Sequence, residues 1–148
     1  MSVGAERPAE SLDRRACLAL LSTVAVGRVA WAASNGVVVV LPVNYLLDAE
    51  TIVFGTGPGG KLAAVRAGRP LTFEADDVER ATRTGWSVLV TGTADVVEDP
   101  DRIRRIEQLH LDTWAPAPGR SFVRLRIHEI TGRLLPLRPG RVTVERVG

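Results

Sequence analysis

The chain has 148 residues, 45% of them hydrophobic and 24% charged, with a formal net charge of +2 at pH 7. That length carries one substantial core and not two, and so small a positive excess is no electrostatic footprint for nucleic acid. The single cysteine, Cys17, excludes an internal disulfide and a cysteine-cluster metal site, and no apolar run approaches the roughly 20 residues of a membrane-crossing helix.

Residues 1–10 are polar, contain Pro8 and are expected to form a loose arm. They leave one domain over residues 11–135 and a C-terminal tail over 136–148. Ser11 is placed to cap a helix running to about Ser22, with Leu12, Ala16 and Leu20 on its buried stripe and Cys17 beside them. Arg14-Arg15 followed by "CLALLSTVAV" and "AWA" imitates an export signal. Glu6, Glu10 and Asp13 spoil its positive start and Arg28 interrupts it, so a cytoplasmic protein is expected.

"VAVGRVAWAAS" then switches to small and β-branched residues and reads as a strand. Asn35-Gly36 is a hairpin turn, because both positions tolerate positive φ. "VVVVLPVNYLL" is the return strand, and its near-continuous apolar character predicts burial on both faces. "DAE" turns the chain into a third strand, "TIVFGT". "KLAAVRA" is a two-turn helix stopped by Gly68 and Pro70. "LTFEAD" is a fourth strand, "DVERATRTG" a polar connection and "WSVLVTGTADVVE" a long fifth strand with Trp86, Val88, Val90, Ala94 and Val96 on one face. Asp99 or Asp101 starts a helix with an Ile103, Ile106, Leu109/His110 stripe. "FVRLRIHEI" is a sixth strand, alternating Val123, Leu125 and Ile127 with Arg124, Arg126 and His128. The expected architecture is mainly β: a six-stranded antiparallel barrel with short flanking helices.

"FGTGPGGKL" spaces Gly55, Gly60 and Lys61 as in a phosphate-binding P-loop, but Leu62 stands where the Ser or Thr that helps hold Mg²⁺ belongs. The long helix and acidic strand of a nucleotide hydrolase are also missing. Glycines 55, 57, 59 and 60 let backbone amides approach an anion, with Thr56 adding a hydroxyl and Lys61 a point charge. Four glycines serve a plain turn equally well, and Lys61 could be a solvated first-turn residue; the local pattern leaves both open. His110 and His128 lie on different elements and make no metal spacing. The acidic run Glu74, Asp76, Asp77 and Glu79 reads as a solvated strand end rather than paired catalytic carboxylates, and Arg124 and Arg126 as the charged outside of the barrel. Trp31 is expected in the core, whereas Trp86 and Trp114 are placed to meet a partner or a planar ligand.

The runs "VGRVA", "LPVNYLLDAETIVFGTGPGGKL", "LTFEADDVERATRTGWSVLVTGTADVV" and "RLRIHEITGR" resemble the pyridoxamine-5′-phosphate-oxidase-like flavoproteins. Within them they are closest to the short actinobacterial type related to nitroimidazole-resistance proteins. The likeness spans roughly residues 12–134. It implies a split β-barrel that forms a homodimer with FMN in clefts between subunits. By the same resemblance, the strand Pro42-Val43-Asn44-Tyr45 runs along the flavin ring through its backbone, and Thr56, Gly57, Gly60 and Lys61 hold ribityl and phosphate. Trp86 and Ser87 approach the flavin edge at the subunit interface, and Trp114 and Arg133 reach it from the partner. The true oxidases carry an Arg-Lys pair on the phosphate loop. Here Gly60 precedes Lys61, which removes a bidentate clamp.

The C-terminal substrate-phosphate residues of those oxidases have no match, so oxidation of pyridoxamine phosphate is not expected. The expectation is an FMN-dependent oxidoreductase passing electrons between a nicotinamide donor and a small-molecule substrate, with no nucleic-acid, membrane or metal partner. Its rivals are a deazaflavin-dependent reductase of the same fold, a carrier of flavin or haem without turnover, and a structural barrel with an empty loop.

Overall fold

The computed structural model describes residues 11–109 and 119–136. Its elements are β1 (Ser11–Leu12), α1 (Arg14–Leu21), β2 (Val26–Ala32), β3 (Val38–Asp48), β4 (Thr51–Thr56), α2 (Gly60–Arg66), β5 (Leu71–Glu79), β6 (Thr84–Val96), α3 (Pro100–Gln108) and β7 (Ser121–Pro136). All pairings are antiparallel. The order β7-β4-β3-β2-β5-β6 closes on itself through β6–β7, making a six-stranded barrel, and β1 adds two residues to the edge of β7. Inside lie Val29, Trp31, Tyr45, Ile52, Phe54, Leu71, Phe73, Val88, Val90, Val123 and Leu125, all buried. Trp31 is a core residue, as expected.

Two helices plug the barrel. The first begins later than the sequence suggests: Asp13 rather than Ser11 caps it, its carboxylate accepting from the Ala16 amide at 2.8 Å, because Ser11 is taken up in β1. The delay rotates the buried stripe, so that Cys17 and Leu21 are fully buried while Leu12, Ala16 and Leu20 are only partly so. Cys17 packs where Gly132 leaves room; a Cβ there would stand 2.6 Å from its Sγ, and burial pushes the thiol pKa up. The second plug, α2, buries Leu62, Ala64 and Val65 and ends at Gly68, whose φ of +70° suits glycine. Leu62 anchors this helix, which is why no hydroxyl residue stands there.

Three further expectations are corrected. The strand β3 is not buried on both faces: Val38, Val40 and Leu41 are exposed. Its pairing with β4 covers only Tyr45–Asp48, whereas Val38–Asn44 pair with β2 alone, so the upper half of β3 borders a gap in the barrel wall. The "DVERATRTG" segment is mostly hairpin, with β5 and β6 paired out to Glu79 and Thr84. The last strand does not stop at Ile130 but continues to Pro136.

That last strand also changes face. The β6–β7 register slips between Thr91 and Gly92, which pair with Glu129 and Ile127, leaving His128 as the extra residue of a bulge. Val123, Leu125 and Ile127 face inward as read from the sequence, but beyond the bulge the inward positions are Ile130 and Gly132. Gly92 makes this possible, since a Cβ on it would fall 1.7 Å from the Arg126 carbonyl oxygen.

The outside of β4 and the start of β7 is covered by α3. Asp99 caps α3, and Ile106 joins Val53, Val97 and Phe122 in a second small cluster, while Leu109 stays exposed. The Arg105 guanidinium lies 2.9 Å from Asp48. Arg124 pairs with Asp95 at 3.1 Å and Arg126 approaches it at 3.7 Å, consistent with charges on the barrel's outside. His128 Nε2 sits 3.2 Å from the Thr93 hydroxyl.

Candidate functional site

Two regions hold the residues that the sequence singles out. The first is the turn leaving β4. Thr56 ends that strand and is buried, 7% exposed, and among the described residues its hydroxyl donates only to the carbonyl of neighbouring Gly57 at 3.1 Å. Gly59 has a φ of +155°, and neither Gly57, Gly59 nor Gly60 has any atom within 4 Å of a would-be Cβ, so the loop backbone is open. Lys61 is partly buried, its ammonium 5.6 Å from the Phe54 ring centroid. Among the described residues no carboxylate pairs with it, and burial lowers its pKa. A partly buried cation without a carboxylate partner among the described residues can take up an anion, which would favour its charged form. The residues present therefore fit a phosphate-bearing cofactor, with Thr56 and Lys61 as donors.

The second region is the outer face of the barrel. Val29, Phe73, Ala75, Val88 and Val90 point into the core, so their strand neighbours point out. Cross-strand register then sets Pro42, Arg28, Glu74, Leu89 and Thr131 in one row across β3, β2, β5, β6 and β7. In the adjoining row, Asp76 pairs with Ser87 and Ser87 with Arg133. A groove of about 320 Å³ is lined by Glu74, Ser87, Leu89, Thr131, Arg133 and Leu135. Ser87 and Arg133 thus meet in one groove, and Pro42 and Asn44 lie outward on the same side of the sheet. Val43, Tyr45 and Trp86 turn inward. The Tyr45 hydroxyl donates to the Leu21 carbonyl at 2.5 Å, and burial, with the charge of Glu74, raises its pKa. These three could meet a ligand mainly through backbone. Trp114 and His110 lie outside the described residues.

From the sequence, Glu74 and Asp76 at the middle of this face read as a solvated strand end; both are instead half-buried and share Arg28. One nitrogen of Arg28, Nη1, is 3.0 Å from Glu74 and 3.1 Å from Asp76. Two carboxylates share one cation. Burial and the adjacent Asp76 outweigh Arg28 and push the Glu74 carboxyl up to about 7. The spacing Glu74-Ala75-Asp76 on a strand was the available signal, since i and i+2 share a face; the Arg28 partner needed the register.

Another groove, of about 420 Å³, lies between the α1–β2 turn and β3, lined by Leu21, Thr23, Tyr45 and Leu47 among others. Its one ionisable group is Tyr45, already bonded to Leu21. Among the described residues no cluster of His, Cys, Asp or Glu could hold a metal ion, and no helix is long and apolar enough to cross a membrane.

Comparison with known proteins agrees with this architecture. An uncharacterized protein of Mycobacterium tuberculosis is 34% identical over 131 residues, covering 85% of each chain. A Corynebacterium glutamicum protein assigned as a pyridoxamine 5′-phosphate oxidase superposes with a TM-score of 0.76 at 31% identity, covering 92% of this chain and all 100% of that one. The FAD-binding protein of Mycobacterium smegmatis superposes with a TM-score of 0.67, also at 31% identity, over 86% of this chain and 98% of that one. The family model described as pyridoxamine 5′-phosphate oxidase matches residues 13–134, the whole barrel with its first helix, and the chain belongs to that family.

Proposed function

We propose that this protein is a flavin-dependent oxidoreductase of a small molecule, working in the cytoplasm as a homodimer with FMN and a nicotinamide electron donor. The observation that carries this reading is Lys61, a partly buried ammonium without a carboxylate partner among the described residues, on the loop that follows the buried Thr56. These two would bind the cofactor phosphate and ribityl chain. The β3–β4 pairing ends at Tyr45 and Phe54, two residues before Thr56, and the backbone of Pro42–Tyr45 would lie along the flavin ring. The 31% identical FAD-binding relative supports a flavin as the class of cofactor.

A bound flavin would supply the redox chemistry, and the protein the placement and electrostatics. The exposed Val37 just before that strand and the exposed Val38, Val40 and Leu41 on it support a second copy as the other wall of the cleft, where Trp86 and Ser87 would approach the flavin edge at the interface and Trp114 and Arg133 would reach it from the partner.

Fluorescence titration with FMN tests the reading. Wild-type protein should bind FMN, and Lys61→Ala should bind it about tenfold more weakly, the cost of one charge-assisted contact. Unchanged affinity would refute the phosphate assignment. Parallel titrations with FAD and a deazaflavin distinguish the cofactors, and flavin that binds but is not reduced by any nicotinamide donor would mark a carrier.

A further inference from the structure

The upper half of β3 carries main-chain groups that no strand takes up. Between β2 and β3 the Ala33 amide donates to the Val37 carbonyl at 2.8 Å and the Tyr45 amide to the Ala25 carbonyl at 3.0 Å, and the pairing between these points runs without a shift. In an antiparallel ladder every second residue bonds a given neighbour, so Val39, Leu41, Val43 and Tyr45 turn their main-chain groups to β2. The N–H and C=O of Val38 and Val40 point the other way, into the gap left where the β3–β4 pairing ends at Tyr45 and Phe54. Among the described residues no hydrogen bond reaches them. Val37, Val38, Val40 and Leu41 are exposed beside this edge, and Val39 is half-buried. Edge strands open to water are ordinarily guarded by a lysine or other charge, a bulge or a proline. From Val37 to Leu41 there is no charge, no bulge and no proline; the first guard is Pro42, where the ladder would have to stop.

We propose that this edge pairs antiparallel with the same edge of a second copy, joining the two barrels through one continuous sheet. The proposal rests on the homodimer in the reading above and gives it a defined contact. The occupant follows from symmetry. A two-fold axis brings a surface against itself, which like charges oppose and an uncharged strip permits, and it turns the second β3 antiparallel to the first. Only Val38 and Val40 offer both a donor and an acceptor at this edge, since Pro42 has no N–H. The register that uses both sets Val38 opposite Val40 of the second copy, and Val40 opposite its Val38. Val39 then faces its own copy across the axis and Val37 faces Leu41 of the second copy, so every cross-strand pair is apolar. A shift by two residues would bring into the ladder either Pro42 or Gly36, whose φ of +81° belongs to the turn. The same register sets Gly36 of the second copy opposite Pro42, where the stretch proposed to lie along the flavin begins. One strand edge thus serves the second copy over Val38–Val40 and the cofactor beyond it.

Two measurements test this, neither of which needs turnover. The first is a disulfide across the axis. The paired Val39 Cα atoms would stand about 4.5 Å apart, within reach of a bridge, and the two Val37 Cα atoms about 14 Å apart. Val39→Cys should therefore give a covalent dimer on a non-reducing gel after mild oxidation, and Val37→Cys should not. Cys17 is fully buried and adds no background. The second uses the wild-type protein. The Val38 and Val40 amides should exchange with deuterium about tenfold or more slowly at concentrations where sedimentation shows a dimer than after dilution to the monomer. The Val39 and Leu41 amides, bonded to β2, should not change. A dimer whose Val38 and Val40 amides exchange as in the monomer, or a Val39→Cys protein that links no faster than Val37→Cys, overturns the proposal alone. A wild type that stays monomeric throughout overturns the homodimer reading and this proposal with it.

Discussion

The two halves of β3 have nearly the same apolar composition and opposite fates. From Tyr45 to Asp48 the strand pairs with β4 in the barrel wall. Tyr45 is buried there, and its ring meets Phe73 edge-on at 4.8 Å between centroids. From Val38 to Leu41 the strand has β2 on one side and no β4 on the other, and three of its four residues are exposed. Apolar side chains report that a surface is to be covered. Which strand or subunit covers it depends on pairing, which the residues themselves do not encode.

That contrast can be broken from either end. Tyr45→Ala should cost the most. It removes a buried ring, its contact with Phe73 and the hydrogen bond to Leu21, a loss of about 3–5 kcal/mol by urea denaturation. Val40→Asp should leave the unfolding free energy of the isolated chain within about 0.5 kcal/mol, because its side chain is 55% exposed. By sedimentation it should nonetheless dissociate the proposed homodimer. A mutant that stays dimeric would show that the exposed half of β3 is not the contact.

The smallest effect concerns the row that runs outward from Pro42 through Arg28 to Glu74. Folding raises the Glu74 pKa from 4.5 to about 7, so the folded state holds this proton more tightly than the unfolded chain. Its stabilisation is full below about 4.5 and is lost as pH rises through about 7. Glu74→Gln should remove that slope from a plot of Tm against pH. The amplitude should be on the order of 1 kcal/mol, reduced by solvent and by Arg28. An unchanged slope would place the titration on another group.

Local chemistry made much of the barrel legible. Asn35-Gly36, with φ of +81° at the glycine, turns β2 into β3, and Gly68 ends α2 as its position after the apolar stripe suggests. Alternation identified the inward residues of β6, and the glycine-rich loop with Lys61 stood out because open backbone and a lone cation are sequence-local properties.

Arg133 is the counter-example. Simple alternation from Val123 would turn it into the core, and it lies outward only because one extra residue, His128, is accommodated opposite Gly92. A strand's period of two is carried by its own residues, but a bulge is negotiated between two strands. Arg28 illustrates the same limit. Alone it is a charge on the outer side of a strand, and only the register of β2 with β5 brings its guanidinium to Glu74 and Asp76.

By itself, then, the sequence determined most of the strands and turns, the glycine-rich loop and the family, because each is written in neighbouring residues. Only the tertiary structure decided which half of β3 is left uncovered, which way Arg133 points and which carboxylates share Arg28. Each of these follows from strand pairing across distances the chain must fold to span.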